Sequence, residues 1–180
     1  MKIYYKLKLI KIIFLKYLLI IFFVCNFIEE TVAQTHKKKV FSLLQGRHWS
    51  LNVESFINLG EGTDVILIDI AGDTKTINYL RFRALEALSL FPTEDTATFL
   101  EETIETSFTP LARRGFEAYH KGFRKTKPQR VKKIALLLLK HPKENIRISA
   151  ARAIRSIDKE IFKKFLKSEK QLWVRKEAQK

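Results

Sequence analysis

The stretch Arg81-Phe-Arg-Ala-Leu-Glu-Ala-Leu-Ser-Leu-Phe91 decides the fold. Its apolar residues recur at helical spacing, which predicts an amphipathic helix. The chain then restates it. Arg114-Gly-Phe-Glu-Ala-Tyr119 repeats Arg83-Ala-Leu-Glu-Ala-Leu88 position by position. Ser149-Ala-Ala-Arg-Ala-Ile154 repeats it again, and Arg175-Lys-Glu-Ala178 begins a fourth copy. Aligning Ala84, Gly115, Ala150 and Ala178 gives steps of 31, 35 and 28 residues. A period of about 30 to 45 residues built from helix pairs is the mark of an α-solenoid.

Packing gives the repeat its physical reason. Each small residue shares a helical face with the larger one four positions on: Ala84 with Leu88, Gly115 with Tyr119, Ala150 with Ile154. The small residue lets a neighbouring helix approach, and the larger one fills the space beside it. Arg81, Arg147 and Arg175 each lie three residues before the small one. A cation in the first turn of a helix opposes the dipole. Its recurrence predicts a ladder of hydrogen bonds to carbonyls or carboxylates of the adjacent repeat, with Glu144 a candidate partner for Arg147. Ala112 stands where the second copy would carry its arginine, so the ladder is expected to break there.

These residues resemble HEAT-like repeats, the short HEAT or armadillo-type variety of about 30 residues. The elements that match are Leu-Arg-Phe-Arg-Ala-Leu-Glu-Ala-Leu (80–88), Asn-Ile-Arg-Ile-Ser-Ala-Ala-Arg-Ala-Ile (145–154) and Val-Arg-Lys-Glu-Ala (174–178). The resemblance covers 79–180 closely and 52–78 loosely. It implies an all-α fold, a right-handed α-solenoid of stacked antiparallel helix pairs. Such stacks usually bind proteins, while a few bind DNA or act as lyases.

Ahead of the repeats, residues 1–33 read as a secretory signal peptide. Lys2, Lys6, Lys8 and Lys11 form a basic start, residues 12–24 are apolar apart from Lys16, and Thr31-Val-Ala33 offers small residues for cleavage. The apolar run is shorter than the roughly 20 residues of a membrane span. An uncleaved N-terminal anchor is the rival reading. Lipidation at Cys25, the only cysteine, is disfavoured by the bulky Val24 before it. Cleavage after Ala33 would leave a chain without thiols, exported to the periplasm or beyond the cell, that must hold itself together by apolar burial.

Residues 34–51 are expected to be a solvated leader, 34–39, followed by an N-terminal cap that places Trp49 over the end of the core. The repeat domain is expected over 52–180. Asn52, Thr63, Asn78, Thr93 and Asp158 are predicted helix caps, and Gly60, Pro92, Gly122 and His141-Pro142 predicted stops. The run around Val65, Leu67, Ile68 and Ile70 is short enough for a strand, but the downstream copies favour helix. Phe99, Leu100, Ile104 and Phe108 are read as one buried face. Ala135-Leu-Leu-Leu-Leu139, apolar all round, is read as buried on both sides.

Motifs for chemistry do not emerge. His36, His48, His120 and His141 show no zinc-binding spacing, and there is no nucleophile elbow or phosphate loop. His120 is read as a solvated helix-end residue favoured by the dipole, and Glu101, Glu102 and Glu105 as a solvated acidic face. Phe116, Tyr119 and Phe123 are read as core. No cofactor, metal site or small-molecule substrate is expected, and the chain is expected to be no enzyme. Charge carries the information. Residues 34–110 hold seven basic and eleven acidic residues, whereas 111–180 hold 22 basic and six acidic. The densest part, Lys121, Arg124, Lys125, Lys127, Arg130, Lys132 and Lys133, contains no acid and is the candidate surface for an anionic partner. The expected function is an exported interaction module that binds another protein, with an acidic lipid or envelope surface as a further partner class. The alternative is a nucleic-acid-binding helical-repeat protein, which export would separate from cytoplasmic DNA.

Overall fold

The computed structural model describes residues 34–180. The expected signal peptide and Cys25 lie outside the described residues. The described residues fall into two units, divided between Ser42 and Leu43. In the first, residues from 34 onward are helical, and the Ser42 hydroxyl donates to the Lys39 carbonyl. The expected solvated leader is therefore part of a helix, consistent with the good helix propensity of its lysines.

In the second unit every regular element is a helix. These are α1 (Val53–Ile57), α2 (Thr63–Gly72), α3 (Asn78–Leu88), α4 (Glu94–Thr106), α5 (Thr109–Phe123), α6 (Pro128–Leu138), α7 (Glu144–Ile157), α8 (Lys159–Ser168) and α9 (Leu172–Gln179). Among the described residues there is no strand, so the run around Val65 is helical. Three predicted caps form. Asn52 accepts from the Ser55 N–H, Thr93 from Thr96, and Asp158 from Glu160 and Ile161. Two do not. Gly62, with φ of 77°, precedes α2, and the Thr63 hydroxyl donates backwards to the Gly60 carbonyl instead of capping. Asn78 is already the first residue of α3, and Ile77 stands at the cap position without a side-chain bond.

Contacts arrange the helices as stacked pairs. α2 packs on α3, α4 on α5 and α6 on α7, while α3, α5, α7 and α9 form a continuous row. Residue numbers give the sense. Across the α4–α5 pair, Glu101 meets Tyr119 and Thr103 meets Gly115, so one number rises as the other falls and the helices are antiparallel. Along the row the offset stays nearly constant. His120 meets Ser156 and Glu117 meets Ser149 at separations of 36 and 32; Arg152 meets Glu177 and Arg155 meets Gln179 at separations of 25 and 24. Successive second helices are therefore parallel, stacked one repeat after another.

The aligned small residues lie where the repeat requires them. Ala84, Gly115, Ala150 and Ala178 are buried on the row helices, together with Leu88, Tyr119 and Ile154. A methyl group built on Gly115 would stand 3.1 Å from the Thr103 side chain. Gly122 was expected to stop α5, but the helix runs on to Phe123. Its lack of a side chain serves close approach: a Cβ there would lie 3.0 Å from the Ser89 carbonyl oxygen.

The arginine ladder exists with a different wiring. Each rung bonds carbonyls at or beyond the C-terminal end of the helix before it, within its own repeat. Arg81 donates to the Ala71 carbonyl, Arg147 to those of His141 and Pro142, and Arg175 to that of Glu169. Those carbonyls sit at or just past helix ends, where the chain lacks donors. Only Arg147 also reaches a carboxylate of the next repeat, and that carboxylate is Glu169, at 2.8 Å. Glu144 accepts from Gln171 instead. At the N-terminal end, Trp49 is half-buried, donates to the Leu43 carbonyl and lies under the Arg83 guanidinium. Arg83 also donates to the carbonyls of Leu44 and Gly46, which pins this cap onto α3.

Two expected burial patterns fail, one at Phe108, the cap residue of α5 in the α4–α5 connection, and one at Leu137 on α6. Phe108 is 48% exposed, and Leu137, in the middle of the leucine run, is 65% exposed. α4 and α6 make few direct contacts while their partners α5 and α7 pack closely. An apolar run on a splayed row keeps one side open.

Candidate functional site

The basic stretch falls on the end of α5, the connection after it and the first two turns of α6. Phe123 is fully buried at the end of α5 and stacks on Tyr119 with ring centroids 4.9 Å apart. Phe116, Tyr119 and Phe123 are therefore core, as their spacing predicts. Pro128 then starts α6, with Lys127 at its cap position.

The seven cations separate into two groups. Lys127 forms an ion pair with Glu94 and sits over the Phe123 ring at 5.5 Å. Arg130 contacts Glu94 at 3.2 Å and reaches Glu101 through Nε at 2.6 Å and a second nitrogen at 2.9 Å. Lys132 pairs with Asp158 at 2.8 Å, and this contact, with the capped N–H of Ile161, holds the Asp158 carboxyl below its ordinary pKa. These three tie α6 to α4 and to the start of α8. Lys121, Arg124, Lys125 and Lys133 are exposed and have no ion pair among the described residues.

Glu101 departs from the solvated face expected of it. The fully buried Tyr119 donates its hydroxyl to Glu101, which the Arg130 guanidinium clamps from the other side. Burial and the neighbouring carboxylate push the Tyr119 phenol far above its ordinary pKa. Glu102 and Glu105 are exposed, as expected. His120 also differs from its reading. Its Nε2 lies 3.2 Å from the Ser156 hydroxyl across the α5–α7 contact, and burial, with Arg124 nearby, holds its pKa below the ordinary value. Burial outweighs the position in the last turn of α5. Among the described residues no group of three or more His, Cys, Asp or Glu is placed to hold a metal ion.

Beside the cations runs a groove that the sequence did not disclose. It has a volume of about 520 Å³ between α4 and α6. Ile104, Ile134 and Leu138 give it apolar surface, with Leu137 standing out on the α6 side. Glu101 and Glu105 stand on the α4 bank, and Arg130, Lys133 and His141 on the α6 bank. The Glu101–Arg130 pair bridges the two banks.

No protein-family model matches the chain, and no curated protein does. Among solved structures, the complex of CpcE and CpcF of phycocyanin lyase from Nostoc sp. PCC7120 is similar to this chain at 15% sequence identity. That likeness covers 79% of this chain and 74% of that one, with a TM-score of 0.37.

Proposed function

We propose that the chain is an exported, non-enzymatic helical-repeat module that holds an acidic protein through the exposed part of its basic edge. One observation carries the reading: the division of the basic cluster. The nearby carboxylates Glu94, Glu101, Glu117 and Asp158 already have cationic partners. Lys121, Arg124 and Lys125 face solvent beside them with no ion pair among the described residues, on a half-chain rich in lysine and arginine. Exposed like charges raise the local potential and attract an anionic surface. The Glu101 carboxylate, which a hydrolytic site would need free, is engaged by Tyr119 and Arg130. The basic, apolar and small-residue order of 1–33 supports export.

The test is K121Q/R124Q/K125Q, which leaves Lys127 and Arg130 on their acidic partners. Wild-type protein should bind poly-L-glutamate, weakening as salt rises, and the triple variant should bind several-fold more weakly at an unchanged melting temperature. Equal binding by the two proteins would overturn the proposal. So would tighter wild-type binding to anionic phospholipid vesicles or a DNA duplex at physiological salt. Cleavage of the export signal is checked by N-terminal sequencing of the native protein, which should begin near Gln34; an intact Met1 would favour the uncleaved anchor instead.

A further inference from the structure

We propose that the groove between α4 and α6 is a docking site for a short amphipathic helix of a partner protein, with acidic residues along the edge that meets α6. This site is distinct from the edge formed by Lys121, Arg124 and Lys125.

Three observations lead to a helix with that charge pattern. The lining is apolar in the middle, through Ile104, Ile134 and Leu138, and Leu137 beside it is 65% exposed. Leaving such a side chain in water forgoes apolar burial that a partner would supply. The banks also differ in sign. Glu105 stands on α4, opposite Lys133 on α6; His141, past the end of α6, accepts the Lys143 N–H through Nδ1 and adds no positive charge. Lys133 is exposed without an ion pair among the described residues, so its charge is available to a partner carboxylate. Finally, both banks are helices, whose backbone groups are bonded within themselves. An extended peptide would find no backbone partners there, whereas a helix brings its hydrogen bonds with it.

The length follows from the lining. Its helical α6 side runs from Arg130 to Leu138, about 12 Å at helical rise, with His141 just beyond the helix end, which matches roughly two to three turns of partner helix. The Glu101–Arg130 bridge closes one end, so the partner would enter from the side of Glu105 and His141.

The probe is a fluorescent, hydrocarbon-stapled helical peptide of about eleven residues. It carries leucines on one face, glutamates along one edge and lysines along the other. A control peptide has lysine on both edges. Binding to the full chain is read by anisotropy. The bipolar peptide should bind wild type more tightly than the control does. Lys133→Glu should weaken the bipolar peptide by about tenfold and narrow or reverse that preference. Leu137→Ser should weaken both peptides by about tenfold. Both positions are exposed, so circular dichroism and melting should be unchanged. K121Q/R124Q/K125Q should leave peptide binding intact, which separates failure here from failure of the proposed function. Absence of saturable peptide binding to wild type, or equal binding to wild type and both variants, would overturn the proposal. Binding of laurate, sensitive to Leu137→Ser, in place of the peptide would also overturn it and make the groove a site for small amphiphiles.

Discussion

Replacing Arg147 by methionine should remove about 3 kcal/mol of stability. The Arg147 side chain is 13% exposed and that of Glu169 is 7% exposed. Arg147 meets the two Glu169 oxygens at 2.8 and 3.3 Å and the carbonyls of His141 and Pro142 at 2.9 and 3.0 Å. Methionine keeps most of the aliphatic stem and none of these bonds. Breaking one side of a buried pair costs about 3–5 kcal/mol, because the other charge stays buried. The lower end applies, since the Gln171 N–H still binds Glu169 at 3.1 Å. A loss of that size lowers the melting temperature by about 12 °C for a domain of this length. The carboxyl supplies a second signature. Burial pushes the Glu169 pKa up, but Arg147 and backbone N–H groups hold it below the ordinary value. A lowered pKa in the folded state contributes stability above the unfolded value of about 4.5 that is lost as pH falls through the folded one. Without Arg147 burial prevails and the sign reverses, so the stability gap between variant and wild type should narrow on acidification. R147M/E169L, which removes the stranded charge, should recover at least half the loss. Thermal and urea unfolding of the three proteins at pH 7 and pH 4 test this. A single variant within about 2 °C of wild type, or a double variant less stable than the single, would refute the reasoning.

Gly122→Ala should destabilise despite the roughly 1 kcal/mol of helix propensity it gains, because the new methyl meets the Ser89 backbone at 3.0 Å. Gly72→Ala, whose Cβ would meet only the Phe99 ring at 3.5 Å, is the neutral control in the same melting assay. The wild-type melting temperature should begin to fall below about pH 6.5, because burial holds the His120 pKa below its unfolded value and folding then opposes its protonation. His120→Gln should remove that first decline and leave the carboxylate decline below about pH 4.5.

The seam of the fold was legible because it is local. Ala84, Gly115, Ala150 and Ala178 each sit four residues from a larger partner or at the start of such a pair, and helical spacing alone puts them on one face. The fate of the basic cluster was not legible in the same way. A window of thirteen residues around Lys127 contains no acid, yet Glu94 and Glu101 neutralise Lys127 and Arg130 from one repeat upstream. A signal was there to read: Glu94 and Lys127 both stand at the start of the first helix of their pair, one repeat apart. Gly122 was misread because a glycine near a helix end serves either as a stop or as a point of close approach, and only the neighbour, Ser89, decides. The leucine run was misread because hydrophobicity all round a helix does not say how far its neighbours splay. That splay between α4 and α6 is what opens the groove and leaves Leu137 exposed.

The claim on which the rest stands is that α3, α5, α7 and α9 stack through their small residues. Ala150 is fully buried in that row, on α7, which contacts both α5 and α9. Ala150→Trp forces a large side chain into this contact, and overpacking of this kind costs about 1–3 kcal/mol or more. Leu137→Trp, on an exposed position of α6, is the matched control. Melting followed by circular dichroism should show Ala150→Trp lowered by several degrees or no longer cooperative, with Leu137→Trp at the wild-type value. An Ala150→Trp protein that melts with wild-type cooperativity at the wild-type temperature would contradict the stack.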